Sequence, residues 1–134
     1  MARKNTGLII IIGLIGILVF ITGCDIGGPG KYDEFAVCVS ESGAKLYSAW
    51  WCPHCKDQKD LFGKKSFKIL DGTGTHVECS PGGTRTFSQF CKDQGVTGTP
   101  MWKLADDSIL SGKQPLEIIA QKTGCEDALI ASQI

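Results

Sequence analysis

The stretch Trp51-Cys52-Pro53-His54-Cys55 stands between a short apolar run and a helical pattern. The apolar run suits a buried strand, and proline is favoured in the first turn of a helix. The two cysteines are therefore predicted to lie where a strand passes into a helix, the first at the helix N-terminus and the second one turn inside. This arrangement predicts an α/β fold with a C-x-x-C site at a strand-to-helix junction.

The position of the motif predicts its chemistry. Free backbone N–H groups and the positive end of the helix dipole lower the pKa of a cysteine at a helix N-terminus, and the thiolate is the reactive form. Cys52 is thus the predicted nucleophile, and Cys55 the thiol that attacks the mixed disulfide and releases the product. His54 favours the Cys52 thiolate and so makes the disulfide form a stronger oxidant, while Pro53 fixes the turn. The motif predicts redox catalysis.

The motif has two alternative interpretations. A structural zinc or copper site needs more ligands than one C-x-x-C supplies, and the remaining cysteines of the body form no second C-x-x-C. An inert structural disulfide at so tight a spacing is the other alternative. We therefore expect neither a metal nor a cofactor.

Thr99-Pro100 precedes a predicted strand and agrees with this interpretation. A proline in this position is often cis, and it exposes backbone polar groups with which an extended substrate chain can pair. Thr99 and Pro100 are therefore predicted to line a substrate groove beside the C-x-x-C. An ordinary turn proline is the alternative.

The rest of the body alternates between helical and strand patterns. Helices are predicted over 32–39, 53–68, from Thr84 or Thr86 to about Gly95, and over 115–123, with strands over 44–51, 76–79, 101–105 and 108–111. This order predicts a central mixed sheet of about four strands that is flanked by helices on both faces.

The length and charge of the chain limit the number of domains and the classes of function. The 134 residues allow one ordinary domain with a short appendage. Lys+Arg and Asp+Glu both count 14, and residues 25–134 carry 12 basic and 14 acidic groups, so nucleic-acid binding is disfavoured.

Five lysines follow the C-x-x-C on the predicted helix and form either a solvated face or a docking face for an acidic lipid or partner. They are Lys56, Lys59, Lys64, Lys65 and Lys68.

The N-terminus has the pattern of a targeting segment. Arg3 and Lys4 precede an apolar run over 8–21, and the run closes at Ile21-Thr22-Gly23-Cys24. This end resembles the lipobox of bacterial lipoproteins, which predicts lipidation of Cys24. The alternative is an uncleaved membrane anchor within 1–24. Either way, with 25–30 as a Gly/Pro linker, the body is expected at the cytoplasmic membrane on the extracytoplasmic face.

The short motifs along 31–125 together resemble the thioredoxin-like domain that accompanies vitamin K epoxide reductase homologues in bacteria and plants. Besides the C-x-x-C, they are Phe35-Ala36-Val37-Cys38, Val77-Glu78-Cys79, Cys91-Lys92, Gly98-Thr99-Pro100-Met101-Trp102 and Thr123-Gly124-Cys125. The resemblance implies a thioredoxin fold, a catalytic Cys52/Cys55 pair, a cis Pro100 and electron delivery to a membrane quinone reductase.

The chain departs from the family pattern at the groove and behind the active site. Thr99 stands where the family commonly has an aromatic residue, and Met101 where it usually has threonine. Leu46 stands where thioredoxins keep a buried aspartate, which leaves the proton acceptor for Cys55 open, with Glu78 as a candidate substitute.

The chain has seven cysteines, an odd number. If Cys24 is lipidated, six cysteines remain. If Cys52 then pairs with Cys55, the other four cysteines can form disulfides in three ways. Cys79 ends a predicted strand and Cys91 points inward from the next helix, so we favour Cys79–Cys91 together with Cys38–Cys125. A second redox pair at Cys79 and Cys91 that relays electrons is the alternative. Residues 126–134 are expected to form a C-terminal tail.

These observations predict a membrane-tethered thiol:disulfide oxidoreductase. It is expected to oxidise cysteines of secreted proteins and to be reoxidised by a quinone-linked membrane protein similar to vitamin K epoxide reductase. A reductase or isomerase with the opposite electron flow is the main alternative. A copper- or haem-handling metallochaperone that uses Cys52 and Cys55 as ligands, and a structural module with inert disulfides, are others.

Overall fold

The computed structural model describes residues 28–134. This part of the chain folds around a mixed sheet of four strands in the order β2-β1-β3-β4. The strands are β1 (Lys45–Ser48), β2 (His76–Glu78), β3 (Met101–Lys103) and β4 (Ile109–Ser111). β1 pairs in parallel with β2, whereas β1 with β3 and β3 with β4 are antiparallel. The predicted α/β class, consistent with a thioredoxin-like fold, is confirmed.

Six α-helices and one 3-10 turn lie in the described residues. The helices are α1 (Asp33–Glu41), α2 (Pro53–Phe62), α3 (Lys64–Gly72), α4 (Gln89–Asp93), α5 (Leu116–Thr123) and α6 (Glu126–Ala131), and the 3-10 turn is Pro81–Gly83. The main core lies between α1, α2, α3, α5 and α6 and one face of the sheet, where Trp102, Phe35 and Phe62 are fully buried. A smaller cluster around the Cys79–Cys91 disulfide covers Tyr47 and Met101 on the neighbouring strands.

Three helices differ from the sequence-based expectation. The predicted helix over 53–68 is divided into α2 and α3 by Gly63, whose φ of 75° is a conformation that other residues rarely adopt. α4 begins later than predicted because Ser88 is its N-cap, with Oγ accepting from the N–H of Cys91 at 3.4 Å. α6 lies within the stretch expected to be a tail, since burial of Leu129 in the main core stabilises it.

The structure contradicts the predicted localisation at the cytoplasmic membrane on its extracytoplasmic face. No helix within residues 28–134 is both long and apolar enough to cross a bilayer. The longest of them, α2, has 10 residues and many charged side chains. Such a helix extends about 15 Å, about half of the hydrocarbon thickness. The predicted targeting segment 1–24, including Cys24, lies outside the described residues.

Candidate active site

Cys52 is the N-cap of α2, and its backbone is extended with φ −87° and ψ 117°. Pro53, which has no N–H group, occupies the first turn, so the first free donor that reaches the cap is the N–H of Cys55, 3.3 Å from the Cys52 Sγ. The side chain of Cys52 is nearly covered, with 6% of the residue exposed. The strand β1 and the proline therefore place a sulfur at the end of a helix, where N–H groups point toward it.

Cys55 lies one turn inside α2 and is more deeply buried, with 1% of the residue exposed. Burial first, and then the hydrogen bond with Cys52, raise the pKa of the Cys55 thiol to about 11, although the N–H of Ala49 and the neighbouring Thr99 act in the opposite direction. Cys55 therefore carries its proton at neutral pH. Both cysteines are free thiols in this structure.

Thr99 and Pro100 lie beside Cys52. The Thr99–Pro100 peptide bond is cis, as the sequence interpretation expected. The Cys52 Sγ–H donates to the carbonyl oxygen of Thr99 at 3.3 Å. The carbonyl of Pro100 accepts from the N–H of Gly112 at 2.9 Å, which fixes the loop against the end of β4. The residues predicted to line the groove are thus adjacent to the predicted nucleophile.

The other residues of the motif point in different directions. His54 is turned to solvent, with its side chain 72% exposed and its Nδ1 3.9 Å from the Asp57 carboxylate. Trp51 is half-buried, and its Nε1–H donates to the Oγ of Ser80 at 3.1 Å. Any influence of His54 on the sulfurs is therefore partly screened by water.

Glu78 makes no hydrogen bond with Cys55, and its carboxylate has other partners than the proposed role as proton acceptor requires. Its Oε1 accepts from the N–H groups of Trp50 at 3.1 Å and Ser80 at 2.9 Å. Leu46, at the position where thioredoxins have an aspartate, is fully buried in the main core. Glu78 thus organises the backbone near the site.

The structure joins the four other described cysteines in the pairs favoured from the sequence. Cys38 in α1 bonds to Cys125, the N-cap of α6, across 87 residues. Cys79 bonds to Cys91 in α4 across 12 residues. The first disulfide ties the two ends of the domain together, and the second closes the segment 79–91.

A buried glutamine, which the sequence analysis missed, anchors the active-site helix. Gln58 is fully buried in α2 and exchanges two hydrogen bonds with the backbone of Gln114: Nε2 donates to the carbonyl at 3.1 Å, and Oε1 accepts from the N–H at 2.7 Å. A glutamine in a polar sequence gives no sign that it is buried, because its partner lies 56 residues away. The pair fixes α2 against the loop that follows β4.

A hydrogen-bonded chain near the site was also missed. His76 Nδ1 lies 2.5 Å from Asp71 Oδ1, and its Nε2 lies 2.6 Å from Ser48 Oγ. Burial, followed by the charge of Lys59, lowers the pKa of His76, although Asp71 opposes both. The imidazole is therefore neutral at neutral pH; it donates to Asp71 and accepts from Ser48. Ser48 directly precedes Ala49, whose backbone acts to lower the pKa of Cys55 against the larger effect of burial.

The free dithiol at a helix N-terminus, beside a cis-proline loop on a mixed sheet, is consistent with a thioredoxin-like fold. No family model matches the chain. The chain is similar to thiol-disulfide oxidoreductase LTO1 of Arabidopsis thaliana, with 39% identity over 85 residues. The alignment covers 61% of this chain and 21% of the plant protein, so the chain spans about a fifth of the length of that relative.

Proposed function

We propose that the chain is a thiol:disulfide oxidoreductase that oxidises cysteine pairs of partner proteins through Cys52 and Cys55. The observation that carries the proposal is the pairing of a helix-capping sulfur with a buried thiol directly below it. Cys52 has the N–H of Cys55 as a donor at 3.3 Å, whereas Cys55 is held in its protonated form by burial. Such a difference between the two sulfurs assigns the mixed disulfide to Cys52 and the leaving thiolate to Cys55.

The reaction begins with a disulfide between Cys52 and Cys55. A partner thiolate attacks the Cys52 sulfur, a mixed disulfide forms, and the Cys55 thiolate leaves. Because the Cys55 thiol has a pKa of about 11, this leaving thiolate takes up a proton at neutral pH. The second partner cysteine then attacks the partner sulfur of the mixed disulfide and releases Cys52. The partner loses two electrons and two protons, and the dithiol gains them.

The direction of electron flow is supported by the donor at Cys52. A hydrogen bond from the helix N-terminus stabilises the charged thiolate of the reduced enzyme more than the neutral sulfur of the disulfide. It therefore favours the reduced enzyme, and the oxidised enzyme is a stronger oxidant. As the resemblance of the motifs implies, we assign reoxidation to a quinone-linked partner similar to vitamin K epoxide reductase. That partner would accept the two electrons and restore the Cys52–Cys55 disulfide.

The experiment that tests this function is the oxidation of a short dithiol peptide by the oxidised full-length chain. Disulfide formation is followed by mass after alkylation of remaining thiols, and a Cys52→Ser, Cys55→Ser double variant is the control. We expect one peptide disulfide for each enzyme disulfide consumed, and none with the double variant. Equilibration with glutathione then gives the reduction potential of the Cys52–Cys55 pair. A value of about −120 to −180 mV supports oxidation of partners, and a value of about −270 mV supports their reduction.

A further inference from the structure

Two adjacent tryptophans precede Cys52, and one segment orients both. The Trp50 Nε1–H donates to the carbonyl of Thr84 at 3.0 Å, and the Arg85 guanidinium lies 5.9 Å from the centroid of the indole. The Trp51 ring stacks on Phe87, with centroids 6.2 Å apart and planes 15° apart. We call Trp50, Trp51, Arg85 and Phe87 the aromatic wall.

The segment that carries Arg85 and Phe87 is fixed at both ends. The disulfide between Cys79 and Cys91 closes it, and both cysteines are fully buried. The N–H of Ser88 donates to the carbonyl of Cys79, and the N–H of Cys79 donates to the carbonyl of Ser48 at the end of β1, both at 2.7 Å. The aromatic wall is therefore attached to the strand that leads to Cys52.

Although its indole is held in place, Trp50 remains 52% exposed. A large aromatic surface that is already ordered binds an apolar group without a further loss of side-chain freedom. Trp51 and Phe87 pack against the cluster of Ala49, Cys52 and Cys55. The exposed Trp50 indole thus belongs to the residue next in the chain to Trp51, whose ring packs beside the predicted nucleophile.

We propose that the aromatic wall binds the partner segment next to the reacting cysteine, and that it selects cysteines preceded by an aromatic or large aliphatic residue. The proposal rests on the proposed function, because the partner cysteine must reach Cys52 and its neighbouring residues must then lie against the surface around Cys52. The Arg85 guanidinium makes a cation–aromatic contact with the Trp50 indole, so the wall keeps its shape before the partner arrives.

The test uses two short dithiol peptides that differ only in the residue before the first cysteine, phenylalanine in one and glycine in the other. The rate constants for their oxidation by the oxidised full-length chain are compared, each corrected for the rate with oxidised glutathione alone. We expect the phenylalanine peptide to react about tenfold faster, because one aromatic contact and the apolar area that it buries stabilise the bound peptide by about that factor. Trp50→Ala should bring the ratio close to one, and Trp50→Phe should restore most of it.

Ile130→Ala is the matched control, because Ile130 is an exposed apolar residue, 57% exposed, on α6, which packs against α1 and α5. It should keep the wild-type ratio. Equal rates for the two peptides with the wild-type chain would overturn the inference and leave the proposed function standing. A ratio that persists in Trp50→Ala, or that Trp50→Phe fails to restore in a folded protein, would also overturn it. Failure to oxidise either peptide would overturn the proposed function itself.

Discussion

Cys52 and Thr99 are separated by 47 residues, and the Cys52 Sγ–H donates a hydrogen bond of 3.3 Å to the Thr99 carbonyl. The antiparallel pairing of β1 with β3 allows this contact, because it brings the segment that precedes β3 next to the segment that follows β1. In the mixed disulfide Cys52 has no S–H, and the Thr99 carbonyl is then free to accept from the partner. The same contact therefore links the state of the sulfur to the groove beside it.

The buried thiol gives a pH-dependent prediction. Burial raises the pKa of Cys55 to about 11, so its thiolate fraction grows about tenfold with each pH unit below that value. Because burial, the largest cause, remains when the Cys52 sulfur is removed, we expect the alkylation rate of Cys55 in a Cys52→Ser variant to be still rising at pH 9. The measurement is the second-order rate constant with iodoacetamide from pH 7 to 11. A plateau below pH 9 would contradict the assigned burial.

His76 gives a prediction on stability. Its pKa is lowered in the folded chain, chiefly by burial, so protonation favours the unfolded chain, where the ordinary pKa is about 6.5. The stabilisation is present above that pH and is lost as pH falls through the lower folded value. We expect the free energy of unfolding to fall from pH 7 to 5, and to fall less in His76→Gln.

The control for His76 is His54→Ala, which removes the other histidine of the chain at a solvent-exposed position. It should preserve the wild-type dependence of stability on pH. Urea unfolding at each pH measures both variants. If His76→Gln lost as much stability on acidification as the wild type, the neutral imidazole between Ser48 and Asp71 would not explain the effect.

The two structural disulfides should differ in their contributions to stability. In the chain-entropy model a cross-link contributes more when it closes a longer loop, about 4–5 kcal/mol for the Cys38–Cys125 separation of 87 residues and about 3 kcal/mol for the Cys79–Cys91 separation of 12. Cys38→Ala with Cys125→Ala is therefore expected to lower the free energy of unfolding more than Cys79→Ala with Cys91→Ala. Denaturant unfolding of the two double variants checks the order, and the reverse order would contradict it.

His54 is expected to tune the redox potential. An imidazole in the C-x-x-C favours the thiolate of the reduced form, so His54→Ala should make the potential more negative. A change of about 30 mV corresponds to about 1.4 kcal/mol, and the exposure of the side chain limits the shift to a few tens of millivolts at most. Equilibration with glutathione measures it. No shift, or a shift in the oxidising direction, would remove His54 from the mechanism.

The features that depend on local sequence were predictable. Pro53 after an apolar run gives the strand-to-helix junction, and that junction by itself assigns different roles to Cys52 and Cys55. The helix breaks at Gly63 because the backbone there has a positive φ, and the helical pattern on either side of Gly63 does not indicate this. One long helix was therefore predicted where the chain forms α2 and α3.

Features that depend on distant partners were not predictable in the same way. Gln58 and His76 are polar side chains that form their hydrogen bonds with groups far along the chain. Gln58 bonds to Gln114, and His76 bonds to Ser48. Glu78 was a candidate substitute for the missing proton acceptor, yet its carboxylate accepts from two backbone N–H groups. Side-chain direction, which sequence spacing does not determine, decided its role.

The central claim is that Cys52 forms the mixed disulfide with the partner, and that Cys55 is the thiolate that leaves when the partner is oxidised and the thiol that attacks this mixed disulfide in the reverse reaction. Trapping tests it most directly: the reduced Cys55→Ser and Cys52→Ser variants and the wild-type chain are each mixed with a peptide disulfide, and the products are identified by intact mass. The account predicts that Cys55→Ser accumulates one peptide adduct, mapped to Cys52 and removed by a reductant, while Cys52→Ser and the wild type accumulate little. An adduct that forms as fast in Cys52→Ser as in Cys55→Ser would contradict the assignment of the two sulfurs.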